Sequence, residues 1–350
     1  MTHDPDGPGC PLPNRDYSRI VLGHGGGGQL SKELIETVFL PEFENAELAE
    51  LADSAVVELE SGSVAVTTDS YVVRPLFFPG GSIGDLAING TVNDLAMRGA
   101  NPRVLTAGFI IEEGLELDRL RQIVRDMARS ARSAGVRVVA GDTKVVERGS
   151  CDGCYVNTAG FGVVPSGVAI GPGRARAGDV VLISGSIADH AMAIMSVRES
   201  LGFDAEIRSD TAPLNGLVAT MLEVCPEIHV LRDPTRGGLA ATLNEIATAS
   251  RVGIVIRQAD VPVRPVVASA CEILGFDPLE MANEGKLVCV APPQYADALV
   301  QAMRSHELGR ESILIGAIVE DHPRSVVVES PMGSKRILPM PLGEPLPRIC

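Results

Sequence analysis

The chain lacks a basic face. Its 350 residues carry 45 acidic against 30 lysine and arginine side chains, a formal net charge of −15. Gripping a phosphate backbone or an anionic bilayer needs clustered cations, so neither nucleic acid nor a membrane surface is an expected partner. No run of about 18 uninterrupted apolar residues occurs. The opening Met1 to Cys10 contains Asp4 and Asp6 but no apolar core where a signal peptide would place one, so the expected location is the cytoplasm. A disulfide framework is missing too: seven cysteines, an odd number spread from Cys10 to Cys350, read as reduced thiols. Cys225, Cys271 and Cys289 sit in apolar runs as core filler. Cys151 and Cys154 form a lone Cys-x-x-Cys with no second pair and no nearby histidine, which by itself cannot complete a tetrahedral zinc site. What is present is ordinary globular usage, 45% hydrophobic and 21% charged, in a chain long enough for two domains.

The segment from Leu338 to Cys350 holds four prolines, at 339, 341, 345 and 347. Proline supplies no N–H, so this stretch is expected to be an extended, flexible arm, or else a frayed terminus with an incidental cysteine. At roughly 3.3 Å per residue such an arm reaches on the order of 30 to 40 Å, enough to cross a domain.

Along the chain, residues 1–19 are Pro- and Gly-rich and expected to be flexible. Ile20 to Leu30 includes His24-Gly25-Gly26-Gly27-Gly28, followed by a helical apolar pattern with Ser31 as a fair N-cap. A glycine run entering a helix either cradles an anion on backbone N–H groups or is a hinge. Ser63 to Ser70 alternates as a strand that stops at Asp69. Residues 83–100 read as a helix with Asp85, Asn89 and Asn93 at i, i+4, i+8 in one polar stripe, beside Asp94. A strand at 104–111, a helix at 117–133, a buried-type strand at 136–140 and a strand at 155–164 complete a first domain, 20–164. Asp69 and Asp142 are both expected where strands end, on one edge of a sheet. Each aspartate alone could be a solvated loop carboxylate. Together, with Lys144 adjacent, three clustered carboxylates need a cation, and an all-oxygen set suits magnesium bridging phosphates.

Residues 165–178 read as the linker. A second domain, 179–330, mixes helices near 187–200, 213–224, 237–249 and 264–275 with strands near 179–185, 252–257, 286–291, 312–319 and 325–329. The pattern implies helices packed on a sheet. Within it, Arg232-Asp233-Pro-Thr-Arg236-Gly-Gly238 opens a helix in an anion-friendly way, and Asn283-Glu284-Gly285 is a tight turn before a strand; either could be a turn fixed by its own side chains. The tail, 331–350, follows.

These motifs, with Thr68-Asp69-Ser70, Asn93-Asp94 to Pro102, Gly141-Asp142-Thr143-Lys144 and the terminal Pro347-Arg-Ile-Cys350, resemble the ATP-binding superfamily of aminoimidazole ribonucleotide synthetase, selenophosphate synthetase and thiamine monophosphate kinase. The terminal tetrapeptide is similar to that of the superfamily branch that matures nickel-iron hydrogenase. The resemblance implies a two-domain α/β and α+β fold, a homodimer whose N-terminal domains share a β-barrel, and ATP in the interdomain cleft. It further implies a carbamoyl dehydratase. HypF would load a carbamoyl group on Cys350, ATP would drive its dehydration to a thiocyanate, and a HypC–HypD scaffold would accept the cyanide for iron. In that scheme Asp69, Asp94 and Asp142 hold Mg2+. The glycines at 25–28 close over ATP, with His24, Asn93, Gly141, Thr143 and Arg236 in the nucleotide site. Glu284 is the candidate base, and Lys144 the phosphate or oxyanion contact and an alternative for one of the two proton steps. Two other readings fit the same residues: phosphoryl transfer to a free small molecule, which would make Cys350 dispensable, and a non-catalytic assembly protein that presents the tail.

Overall fold

The computed structural model describes residues 28–39, 49–59, 62–199, 206–343, 346 and 348–350. The predicted segment 1–19 and the predicted nucleotide contacts His24, Gly25, Gly26 and Gly27 lie outside the described residues.

The first domain begins with helix α1 (Gln29–Leu34), continued by a wider turn over Ile35–Phe39. Ser31 is therefore inside the helix and not its N-cap. Strands β1 (Ala55–Leu59), β2 (Gly62–Tyr71), β5 (Asn101–Glu112), β6 (Arg137–Val146) and β7 (Cys154–Val163) form one sheet in the order β1-β2-β7-β5-β6. It is an open sheet within the chain. A short ribbon of β3 (Phe77–Phe78) and β4 (Gly81–Ser82) leads into helix α2 (Ile83–Met97). Ser82 caps that helix by accepting from the Gly84 N–H, and Asp85 reaches back to the Ser82 N–H at 3.0 Å, a reciprocal capping box. Helix α3 (Leu117–Ala134) buries Ile123, Met127, Ala131 and Ala134, a stripe at helical spacing, and ends at Gly135 with φ of 69°. It also makes β5 and β6 the sheet's parallel pair.

The second domain is a seven-stranded sheet in the order β14-β13-β10-β12-β8-β11-β9. Its strands are β8 (Val180–Ile183), β9 (Val230–Arg232), β10 (Gly253–Arg257), β11 (Val288–Ala291), β12 (Ile313–Val319), β13 (Val326–Glu329) and β14 (Lys335–Leu338). Helices α4 (Asp189–Arg198), α5 (Asn215–Val224), α6 (Gly238–Ser250), α7 (Pro265–Leu274) and α8 (Ala296–Ser305) accompany it. Strands β8 and β11 are buried at nearly every residue, which explains their continuous apolar runs.

The structure departs from the sequence expectations in four places. Strand β2 runs past Asp69 to Tyr71, and Asp142 sits inside β6, so neither aspartate ends a strand. Strand β6 is an exposed edge instead of a buried strand, with Val138, Val139 and Val145 43%, 54% and 67% exposed. The predicted linker is packed: Ser250 Oγ donates to the Pro172 carbonyl and accepts from the Ala175 N–H. The tail is ordered where it is described. Residues 335–338 extend the second sheet by pairing with β13, and later residues return to the first domain.

Candidate functional site

A cavity of about 850 Å³ lies between the two domains. The polar stripe on α2 binds α3 of its own domain at Asp85 and the second domain at Asn89 and Asn93. Asp85 accepts from Arg129 and Ser130, both at 2.8 Å. Asn89 donates to Thr211 Oγ1 at 3.1 Å, and Asn93 uses its whole amide, donating to the Ala212 and Glu284 carbonyls and accepting from the Leu214 N–H at 2.7 Å. Asn89 and Asn93 are an interdomain fastening. Asn93, expected at ATP, instead fixes the 210–214 segment.

One wall of the cavity is acidic. Carboxylate oxygens of Asp53, Asp94 and Asp233 all lie within 4.8 Å of one another. Thr67 Oγ1 donates to Asp94 at 2.8 Å, and Arg232 pairs with Asp53 at 2.8 Å and with Glu245 at 2.5 Å. Burial, with further push from neighbouring carboxylates, raises Asp53 to about 6 and Asp233 to about 8 and holds Asp94 well above the usual range. The local negative charge exceeds its compensation, and its donors are oxygen only. That donor set fits a hard divalent cation.

Of the predicted metal ligands, Asp94 belongs to this trio. Asp69 lines the same cavity, 4.0 Å from Arg236. Asp142 does not join them. The pairings Asp69 with Thr158, Thr158 with Ala107 and Ala107 with Gly141 put three strand spacings between β2 and β6, roughly 14 Å. Asp142 and Lys144 pair with each other at 2.9 Å on the exposed edge, where Lys144 and the adjacent backbone N–H hold the Asp142 carboxyl below its ordinary value. Gly141 and Thr143 lie on that edge too. Asp53 and Asp233 complete the trio with Asp94. Asp233 stood in a visible motif; Asp53, in Leu51-Ala-Asp-Ser54, offered no local signal, because only the fold brings it to α2.

Glu284 is 3% exposed and borders the cavity. Its N–H donates to Asp210 Oδ1 at 3.1 Å, and its carbonyl accepts from Ala212 and Asn93. Gly285 follows because a Cβ there would lie 1.8 Å from the Asp210 carbonyl oxygen. Asn283 fixes the turn through Pro234, Met281 and Ala188. Burial, then the nearby Asp233, Asp69 and Asp210, raises the Glu284 carboxyl well above the normal range. A carboxyl so placed can hold a proton at neutral pH and exchange it within the cavity.

Cys350 borders the same cavity. The tail reaches it by presenting carbonyl acceptors, which proline does not remove. Pro341 and Leu342 carbonyls accept from the Gln29 and Leu30 N–H groups at 3.0 and 3.3 Å, so the tail satisfies donors at the start of α1 that an anion would otherwise meet. Gly28, also on the cavity wall, has φ of 104°, and a Cβ there would come within 2.6 Å of the Pro341 oxygen. Further on, Leu346 and Ile349 enter a core cluster built by both domains, while Arg348 and Cys350 carbonyls accept from Arg74 and Val72 N–H groups, both at 3.1 Å.

An acidic metal-type trio, an interdomain cavity and an open five-stranded sheet beside a seven-stranded one define the class. Residues 51–164 match the model described as AIR synthase related protein, N-terminal domain, and residues 176–329 match its C-terminal domain; the chain belongs to this AIR synthase related family. Within it, the chain is 52% identical over 338 residues to the carbamoyl dehydratase HypE of Cupriavidus necator, covering 96% of each. A crystal structure of a HypE–HypF complex superposes with a TM-score of 0.84 at 49% identity, over 88% of this chain and 99% of that one. HypE in complex with ATP gives 0.80 at 47% identity, over 95% and 100%. The chain is a member of the HypE carbamoyl dehydratase family.

Proposed function

We propose that the chain dehydrates an S-carbamoyl group on its own Cys350 to a thiocyanate at the expense of ATP, as a step in supplying cyanide to hydrogenase iron. The observation that carries this is that Cys350, Glu284 and the acidic trio share one cavity. In the balanced reaction, the carboxamide oxygen takes the γ-phosphoryl group of ATP, releasing ADP. The C–O bond then breaks with loss of phosphate as both N–H protons depart and the C≡N bond forms. Glu284, having given up its own proton to the cavity, accepts one of these protons and the departing phosphate takes the other, and burial of the site keeps water from attacking the activated carbon. Asp53, Asp94 and Asp233, with Asp69 beside them, would hold Mg2+, which supplies neutralisation of phosphate charge. Arg236 reaches the cavity as a further cation.

Asp142 and Lys144 lie on an edge strand three strand spacings from the strand of Asp69, roughly 14 Å, and do not line the cavity. Their edge strand, with its exposed valines, suits pairing with a second copy, so a homodimer that completes the sheet into a shared barrel would bring them to the site. HypF is the expected loader of the thiol and HypC–HypD the expected acceptor. Weighing the C-terminal peptide after carbamoylated protein meets Mg-ATP tests the reading. The expected result is loss of one water at Cys350 with ADP release, and a drop of about 10²- to 10⁴-fold in its rate in Glu284→Gln with ATP binding retained. ATP turnover with unchanged peptide mass overturns it, and normal dehydration by Glu284→Gln removes the base assignment.

A further inference from the structure

We infer that Asp152, His190 and Arg198 form a seat that fixes the register of the tail and so positions Cys350 for the reaction; the inference rests on the function proposed above. The tail's last three carbonyl oxygens are each gripped separately. That of Arg348 accepts from the Arg74 N–H at 3.1 Å and from the Arg198 guanidinium, whose Nε also donates to the Arg74 carbonyl at 2.5 Å. That of Ile349 accepts from His190 Nε2 at 2.6 Å, and that of Cys350 accepts from the Val72 N–H. All are main-chain atoms, so the seat reads position along the chain. A slip of one residue would leave the buried Ile349 side chain and its carbonyl without their places.

His190 is fixed for this task. A carbonyl only accepts, so Nε2 carries the hydrogen. Nδ1 lies 2.7 Å from Ser209 Oγ, which in turn accepts from the Thr211 N–H at 3.1 Å. The ring is fully buried and meets Phe78 edge-on at 5.5 Å. Between Ser209 and Thr211 stands Asp210, whose carboxylate holds the Glu284 N–H. The tail's penultimate carbonyl and the base are thus tied to consecutive residues of one strap.

Asp152 acts from the other side. Its carboxylate lies 2.8 Å from the Arg348 guanidinium and 3.7 Å from that of Arg74. This gives the Cys151-Asp-Gly-Cys154 turn a use unconnected with its thiols, both of which burial raises above the ordinary value, Cys154 to about 11. Arg348 itself has φ of 62°, a conformation that non-glycine residues leave readily once unheld. Burial of Leu346 and Ile349 favours the seated tail and loss of chain freedom opposes it. The polar grips therefore decide how often Cys350 is seated, which suits a thiol that must be loaded by one protein and processed here.

The test is alkylation of full-length protein with N-ethylmaleimide, following the Cys350 peptide by mass, alongside single-turnover dehydration of carbamoylated protein. Asp152→Ala should speed Cys350 alkylation about two- to fivefold, and His190→Leu, which strands a buried carbonyl, about tenfold or more. Dehydration should slow in each, with ATP affinity and melting temperature unchanged in Asp152→Ala. His190→Gln, which keeps a donor, should restore most of both effects. Wild-type alkylation rates in Asp152→Ala and His190→Leu overturn the seat. Failure of the wild-type protein to dehydrate would overturn the function and leave the alkylation result standing by itself.

Discussion

Single residues here carry charge that the folded chain stabilises poorly by itself. Asp53 and Asp233, raised by burial to about 6 and about 8, bind protons in the folded protein at pH values where the unfolded chain has released them. Stability must then fall as pH rises from the ordinary aspartate value toward the folded one. The metal-free protein should melt several degrees lower at pH 8 than at pH 5, and saturating Mg2+ should remove most of that slope; a slope unaltered by Mg2+ would argue against a cation at the trio. Residue types announced much of this site. Glu284, Asp94, Asp69, Arg236 and Cys350 all border the cavity, and each stands out in the sequence in a turn, beside a polar stripe, at an expected strand end or at the terminus, where its polarity has no local use. Asp53 and His190 were illegible for the opposite reason: each stands in an apolar neighbourhood of the sequence and gains a partner only when distant segments arrive.

Among the elements, α2 shows what periodicity can and cannot say. The i, i+4, i+8 spacing of Asp85, Asn89 and Asn93 correctly required a partner. That partner proved to be protein: α3 at the first position and the 211–214 segment at the other two. Asn93→Ala should therefore cost about 1–3 kcal/mol in denaturant unfolding, as three buried groups lose a partner. Its ATP affinity should change less than its dehydration rate, since the Glu284 carbonyl is among those groups; a pure loss of ATP binding would return Asn93 to the nucleotide site. Strand β6 misled because Val136 to Ala140 reads as buried, yet the chain places it at an edge. The hydrophobic pattern records that the strand is to be covered and does not state by what. In the tail, prolines correctly excluded a helix, but their effect on donors does not extend to acceptors. The docked segment uses carbonyls almost throughout.

For the molecule as a whole, both domains and most of their helices are readable from periodicity, whereas β1, β3, β4, β9, β14 and α8 (Ala296–Ser305) are not: those strands are only two to five residues long. With Glu284, the acidic trio and Cys350 around one cavity and the Lys144–Asp142 pair on a distant edge, the proposed reaction makes a specific demand on assembly. Mixing Lys144→Ala with Glu284→Gln, each inactive alone, should restore about half the activity per mixed dimer, because one of its two sites then holds both wild-type residues. No recovery would place Lys144 outside the reaction. Among the described residues no helix is long and apolar enough to cross a membrane.

In the function proposed here the chain processes its own terminus in its own cavity. Mixed dimers of Cys350→Ser with carbamoylated Glu284→Gln address it directly, since the only loaded tail then belongs to the chain without the base. After Mg-ATP, the account predicts a C-terminal peptide that keeps its full carbamoyl mass. Loss of one water from that peptide would show the tail at work in the partner's cavity and contradict the account.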